Sequence, residues 1–307
     1  MFLLMLAAAL PGLFWDQSPE TAEALKKSGI ECVQVPPQKA QDWKRTGFCA
    51  TAADLSSYQK LTQPGVEYRP DVASATRAPW VISNAWRLLR AGAKPVYYTA
   101  SKGNADLCAA EAFAYGASAL VRIDPADLDH FGAMLRFLKR IDAPALSTQA
   151  NIGFVDDGSP EAGEVMNLFT RRNLLFRIVS APDPSLNLNV RLGAPDYPRS
   201  AAANPSEFAS MVRRKLTDEK RLMRIYGSDV VIARLTGDSS HARLHLLNYG
   251  GKPVEGLRVR LLGHYKNAKL SAPGGAAAVS DFVAAGDAVE FSIPELGTYA
   301  IVDLDAP

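Results

Sequence analysis

Five aspartates stand directly after short apolar runs with strand character. Asp16 follows GLFW, Asp71 ends VEYRPD, Asp124 follows ALVRI, and Asp156 and Asp157 follow NIGFV. Parallel α/β folds place ligands at the carboxyl ends of their strands, so carboxylates there are the first candidates for chemistry. Two of them facing one cleft could hydrolyse a glycosidic bond, one as acid and the other as nucleophile or base, with their separation setting the stereochemical outcome. An aspartate after a strand is also a turn former or helix cap, and for any one of them alone that is the plainer reading. The D-D-G-S-P text at Asp156 is especially good turn and cap chemistry. Asp16 and Asp71, with Asp124 third, are therefore the catalytic candidates.

The tryptophans, Trp15, Trp43, Trp80 and Trp86, all lie in the first ninety residues. A flat indole packs well against the C–H face of a pyranose ring, so Trp15 and Trp80 are candidate sugar platforms, with core packing as the alternative. Glu67 and Arg69, in the same segment as Asp71, are the candidate polar substrate-binding groups. Arg171 and Arg172 fall near a helix end, where positive charge simply complements the dipole. Cys108 sits in the apolar text DLCAAEAFAYGA with no base beside it, which reads as a small core residue. No G-x-S-x-G elbow, CxxC or HExxH occurs. His241 and His245 are four apart, but in strand-like text, where that spacing builds no helical metal pair. Neither a metal nor a cofactor is expected.

The 307 residues suggest two or three domains. A net charge of +2 and the lack of a basic run interleaved with aromatics set nucleic acid aside as a partner. Cys32, Cys49 and Cys108 are too few, and odd in number, to describe a disulfide framework. The opening MFLLMLAAAL looks like the apolar part of an export signal over residues 1–9, which favours a periplasmic or secreted location over a cytoplasmic one. It is too short to span a bilayer, and no later segment does so.

Elements that would position these residues follow from periodicity. Strands are expected at Gly12 to Trp15, Ile30 to Val35, Val66 to Arg69, Pro95 to Thr99 and Ala119 to Ile123. Helices are expected after Ser18 and at Pro79 to Arg90, Ala105 to Tyr115 and Asp127 to Arg140, with an irregular stretch from Gln38 to Gln63. This alternation implies parallel strands with right-handed crossovers, in a reduced (β/α) barrel or an open parallel sheet over residues 10–145. A second α/β unit over 146–228 has a strand at Ala150 to Val155, a helix capped by Ser159, a strand at Leu174 to Val179, a proline-marked loop, and a helix at Pro205 to Leu216. From Asp229 the period changes to two, as in Leu257, Val259 and Leu261, which predicts a C-terminal antiparallel β-sandwich over 229–307.

This order of parts resembles the three-domain bacterial β-galactosidases and related glycosidases, built from a (β/α) barrel, an amidotransferase-like domain and a small β-sandwich. HLLNYGGKPVEGLRVRLLG, His245 to Gly263, is similar to the start of their C-terminal domain. LCAAEAFAYGASALVRI, Leu107 to Ile123, is similar to their late barrel helix and strand. The resemblance implies a glycoside-hydrolase-like fold and a carbohydrate ligand, and it allows a homo-oligomer. Many retaining glycosidases of this kind carry an Asn-Glu pair at one strand end and a second Glu after text like KPV. Here Asn84 is followed by Ala85, and KPVYYTAS has Ala100 where that Glu would fall.

Two functions follow as expectations. One is a glycoside-hydrolase-like protein that binds or hydrolyses a carbohydrate. The other is a non-catalytic binding or scaffold protein that kept the fold and lost the carboxylates. An amidotransferase-like activity would need a cysteine nucleophile, and residues 150–230 contain none.

Overall fold

The computed structural model describes residues 10–67, 79–142, 146–275 and 278–306. The chain divides into two compact units. One holds residues up to Gly65 together with Ala91–Ala145, and the other holds Val66–Arg90 and Leu146–Pro307. Residues 66–90, expected within the first domain, thus group with the second unit, and so do the expected middle and C-terminal parts.

The chain begins with β1 (Gly12–Phe14), α1 (Ala22–Lys27), β2 (Cys32–Val35), α2 (Ala40–Arg45), β3 (Cys49–Ala52) and β4 (Gln59–Lys60). It passes through β5 (Gly65–Glu67), β6 (Trp80–Ile82) and α3 (Ala85–Ala91). It then continues with β7 (Val96–Thr99), α4 (Ala105–Ala114), β8 (Ala119–Arg122) and α5 (Leu128–Arg140). Two elements differ from expectation here. The irregular stretch contains α2, β3 and β4, which are too short for a periodic signal. Pro79 to Arg90 is not one helix. Trp80, Val81 and Ile82 form a strand, and the Ser83 hydroxyl accepts from the Ala85 amide at 3.1 Å, opening the helix behind it.

In the first unit, six strands form one parallel sheet in the order β3-β2-β1-β8-β7-β4. The third strand of the sheet from the amino terminus is β3, not the Val66 segment, which pairs with β6 in a separate two-stranded ribbon. Each strand–helix–strand connection within the sheet steps in the same direction, from β7 to β8 and from β1 to β2 to β3. Right-handed crossovers then place the connecting helices on one face. Burial agrees, because Leu13, Val33, Val35, Val96, Tyr98 and Val121 on that face are all essentially inaccessible. The Tyr98 hydroxyl donates to Glu111 of α4 at 3.0 Å, giving the buried carboxylate a partner. Gly132 of α5 lies so close to the end of α1 that a Cβ there would come within 2.0 Å of the Ser28 carbonyl oxygen.

Register corrects the reading of the cysteines. Cys32 pairs with Cys49 across β2 and β3, with their Cα atoms 4.6 Å apart, and the two form a disulfide. A count of three could not reveal that two of them meet side by side on parallel strands. Cys108 is free and buried.

The second unit contains two packed regions. In the first, β10 (Ile152–Val155) lies between β11 (Phe176–Val179) and β12 (Leu188–Arg191), all parallel. Strand β12 falls in the expected proline-marked loop. Helices α6 (Pro160–Arg171) and α7 (Pro205–Leu216) pack on this sheet around Phe154, Phe169, Phe176 and Phe208. Each begins with a side-chain cap followed by proline. Ser159 accepts from the Ala162 amide at 3.2 Å, and Asn204 accepts from the Glu207 amide at 3.2 Å.

The remainder is antiparallel. One sheet has the order β13-β16-β19-β18, from β13 (Met223–Tyr226), β16 (Val254–Leu262), β18 (Ser280–Ala285) and β19 (Ala288–Leu296). The other has β17-β20-β15-β14-β9, from β9 (Ser147–Thr148), β14 (Val231–Gly237), β15 (His241–Asn248), β17 (Asn267–Ser271) and β20 (Tyr299–Asp305). Alternate residues of both sheets, including Leu244, Leu246, Val259, Phe291, Ile293 and Val302, share one apolar cluster. The molecule is thus a mixed α/β structure with a six-stranded parallel sheet and separate antiparallel sheets. No helix among the described residues is long and apolar enough to cross a membrane.

Candidate functional site

Strand register fixes what the first unit presents on the face opposite its helices. Residues paired across parallel strands point to the same side. Gln34, Phe14, Arg122 and Thr99 therefore form one row, with Thr51 beside Gln34. A row below holds Leu120 and Tyr97, next to Gly12 and Lys60. Phe14, Leu120 and Tyr97 gather with Ala53, Leu55 and Tyr58 into a small apolar cluster. The face is thus an aromatic and apolar floor with polar side chains near the carboxyl ends of its strands.

Asp16 lies two residues past Phe14, at the end of β1. Its Oδ2 meets a guanidinium nitrogen of Arg122 at 2.5 Å, and its Oδ1 accepts from the Gln17 side-chain Nε2 at 2.8 Å. Its backbone carbonyl accepts from the Lys39 ammonium. Half of the Arg122 side chain is exposed, against a quarter of Asp16. Gln34 holds its Oε1 buried without a hydrogen-bond partner. Any Cβ at position 12 would strike that oxygen at 2.6 Å, so the glycine lets the amide lie over β1. Arg122, Gln34, Thr51, Thr99 and Lys39 can donate to or accept from hydroxyl groups. Each oxygen of Asp16 meets one donor.

The other sequence-derived candidates fall as follows. Asp124 is exposed and its Oδ1 accepts from the Ala126 amide at 2.9 Å, capping a short turn of helix. Trp15 is only 2% exposed, and its indole N–H donates to the Thr21 hydroxyl at 2.8 Å, so its ring is packed in the interior. Glu67 is exposed at the end of β5. Trp80, in the second unit, is half-buried with the Arg171 guanidinium 3.6 Å from its ring centre, a cation–π arrangement that occupies a ring face. Asp71 and Arg69 lie outside the described residues.

Asp156 and Asp157 form a local cap. Asp156 receives two hydrogen bonds from Arg90, at 2.7 and 2.8 Å, and one from the Gly158 amide at 3.0 Å. Hydrogen bonding from Ser159, helped by Arg199, holds the Asp157 carboxyl down at about 2. No cluster of histidine, cysteine and carboxylate suited to a metal ion occurs among the described residues. Sequence reasoning missed Arg122, Gln34 and Thr99. The available signal was parity: Arg122 alternates with the buried Val121 and Ile123 at the carboxyl end of its strand, and it meets Asp16.

No family model matches the chain, and no curated protein matches it in sequence. Solved structures do. The α-L-fucosidase isoenzyme 2 from Paenibacillus thiaminolyticus superposes with a TM-score of 0.55 at 10% identity, over 96% of this chain and 77% of that one. A rhamnosidase from Novosphingobium sp. PP1Y gives 0.42 at 12% identity, over 68% of this chain and 31% of that one. The GH42 β-galactosidase Gan42B from G. stearothermophilus, as its E323A catalytic mutant, gives 0.39 at 8% identity, over 96% and 59%. The fucosidase likeness establishes a glycoside-hydrolase-like fold and nothing finer.

Proposed function

We propose that this chain is a glycoside-hydrolase-like protein that binds carbohydrate without hydrolysing it. The strand order supports a reduced (β/α) barrel. In chain order the strands run β4, β7, β8, β1, β2, β3 around the sheet once a single step is taken from β3 to β4, as in a barrel left open between those two. In this reading the two antiparallel sheets form a β-sandwich. The ligand would lie at the carboxyl ends of the parallel strands, beside the half-buried Tyr97, and use Arg122, Gln34 and Thr99 as hydroxyl partners.

The observation that supports binding over hydrolysis is the engagement of the described carboxylate candidates. Each oxygen of Asp16 already meets one donor, from Arg122 or Gln17, and Asp124 caps its own turn. The position after β7 is a buried alanine, Ala100, 7% exposed. A hydrolase of this kind needs two carboxyl groups free to move protons or attack, about 5–10 Å apart.

A periplasmic or secreted location belongs to the same proposal. Its support is the Cys32–Cys49 bridge between two exposed residues, because such bonds persist in oxidising compartments.

The test pairs a glycan-binding array with a panel of nitrophenyl glycosides. Binding without turnover is expected, weakened by Arg122→Gln. Turnover that disappears in Asp16→Asn or Asp71→Asn would replace this reading with a hydrolase.

A further inference from the structure

The second unit carries an arginine-rich surface that the proposed sugar site does not use. On β13, an edge strand, Met223 and Ile225 point inward while Arg224 and the 43%-exposed Tyr226 point outward. On the neighbouring β16, Arg258 and Arg260 lie on the same face, directly opposite Tyr226 and Arg224 respectively, with the Arg258 side chain 30% and the Arg260 side chain 12% exposed. Two guanidinium groups facing each other across a strand pair repel, and the arrangement is relieved by an anion between them. Asp287 meets Arg260 at 3.2 Å and Glu290 meets Arg258 at 3.1 Å, whereas Arg224 has no ion pair among the described residues. The Arg224 guanidinium instead lies 5.7 Å from the Tyr226 ring centre.

The segment just before β13 contributes to a cavity of about 500 Å³, lined by Arg172, Ser210, Arg213, Arg214, Asp218 and Glu219 among others. Tyr226 acts electrostatically on Arg213 of this lining, and Arg224 on Glu219. Burial, together with the positive charge of Arg213, pushes the Arg172 guanidinium down, so an anion beside it would be favoured. Arg214 and Glu207 form an exposed ion pair, whereas Asp218 takes two hydrogen bonds from Arg213 and meets the buried Arg221 at 3.2 Å. Of these, the exposed pair contributes little.

We propose that this surface binds an acidic polysaccharide of the polyuronate class. A guanidinium fork matches a carboxylate in two parallel hydrogen bonds. Tyr226 offers a ring to the C–H face of a sugar beside the cations. Asp218 and Glu219 inside the same cavity disfavour a doubly charged group, so one carboxylate per sugar fits better than a phosphate monoester. The inference stands on the second unit alone and survives failure of the site proposed in the first.

The test is affinity electrophoresis of the full chain in gels containing polygalacturonate, neutral dextran, dextran sulfate or single-stranded DNA, followed by calorimetry with oligogalacturonate. Retardation is expected with polygalacturonate and not with dextran, is reduced by added salt, and is stronger than with dextran sulfate or DNA. Arg224→Gln with Arg258→Gln should weaken oligogalacturonate binding at least tenfold with an unchanged circular dichroism spectrum. If that pair fails to fold, Arg224→Gln alone, at the edge strand, should weaken it several-fold. Lack of binding to polygalacturonate, indifference to these substitutions, or preference for sulfate or DNA overturns the assignment.

Discussion

Single side chains show why residue type alone misdirected part of the search. Trp15 has the chemistry of a sugar platform, yet its ring is enclosed and its N–H bonded. Asp124 has the chemistry of a general acid, yet it closes its own turn. Arg122 drew no attention, although it is the residue that meets Asp16. Two outcomes belong at this scale. Arg122→Gln should weaken any carbohydrate bound at this face by about tenfold, the loss of one charge-assisted hydrogen bond, as read by calorimetry. His245 tests burial. Its Nδ1 lies 2.6 Å from the Tyr299 hydroxyl, and burial first, then Arg234 and Arg243, push the imidazole well below its usual range. The unfolded chain then takes up a proton below about pH 6.5 that the folded chain refuses. The His245 contribution is therefore full above that pH and falls as pH drops through it. Urea titrations from pH 7.5 to 4.5 should show this slope, and His245→Gln should flatten it.

At the scale of elements, two close approaches hold the first unit together. The Cys32–Cys49 bridge closes a short loop, 17 residues in sequence separation. Its removal by Cys32→Ser should cost about 3 kcal/mol on the loop-entropy account, read as a lower denaturation midpoint. Gly132→Ala should cost about 2–3 kcal/mol, because the new methyl would overlap the Ser28 carbonyl and force α5 away from α1. The same substitution at the open turn Gly116, where no atom lies within 4 Å, meets only the strain of its φ of +64° and should cost about 1 kcal/mol. A comparison of the three melting curves separates steric from conformational cost. Elements with a clear apolar face, such as β8 and α5, were legible in the sequence. The elements α2, β3, β4 and β12 were not, because few of their residues are buried and polar or small residues fill the rest.

For the molecule as a whole, the redox state offers a compartment-scale measurement. Protein made in an oxidising compartment should titrate one thiol per chain when denatured without reductant, that of Cys108, and three after reduction. Three thiols before reduction in protein taken from its native host would remove the support for export.

The sequence alone determined the class of each region: strand–helix alternation in the first half, a second α/β stretch, and period-two strands at the end. These are local, because periodicity records which face of each element avoids water. It also shows an alanine, Ala100, after the KPVYYT strand. Tertiary structure decided which strands are neighbours, that two distant cysteines meet, and that residues 66–90 group with the second unit. It also decided that Arg122 meets Asp16 while Trp15 turns inward. Such facts depend on pairing and register between segments far apart in the chain, and a shift of one residue in register would send each of those side chains to the opposite face.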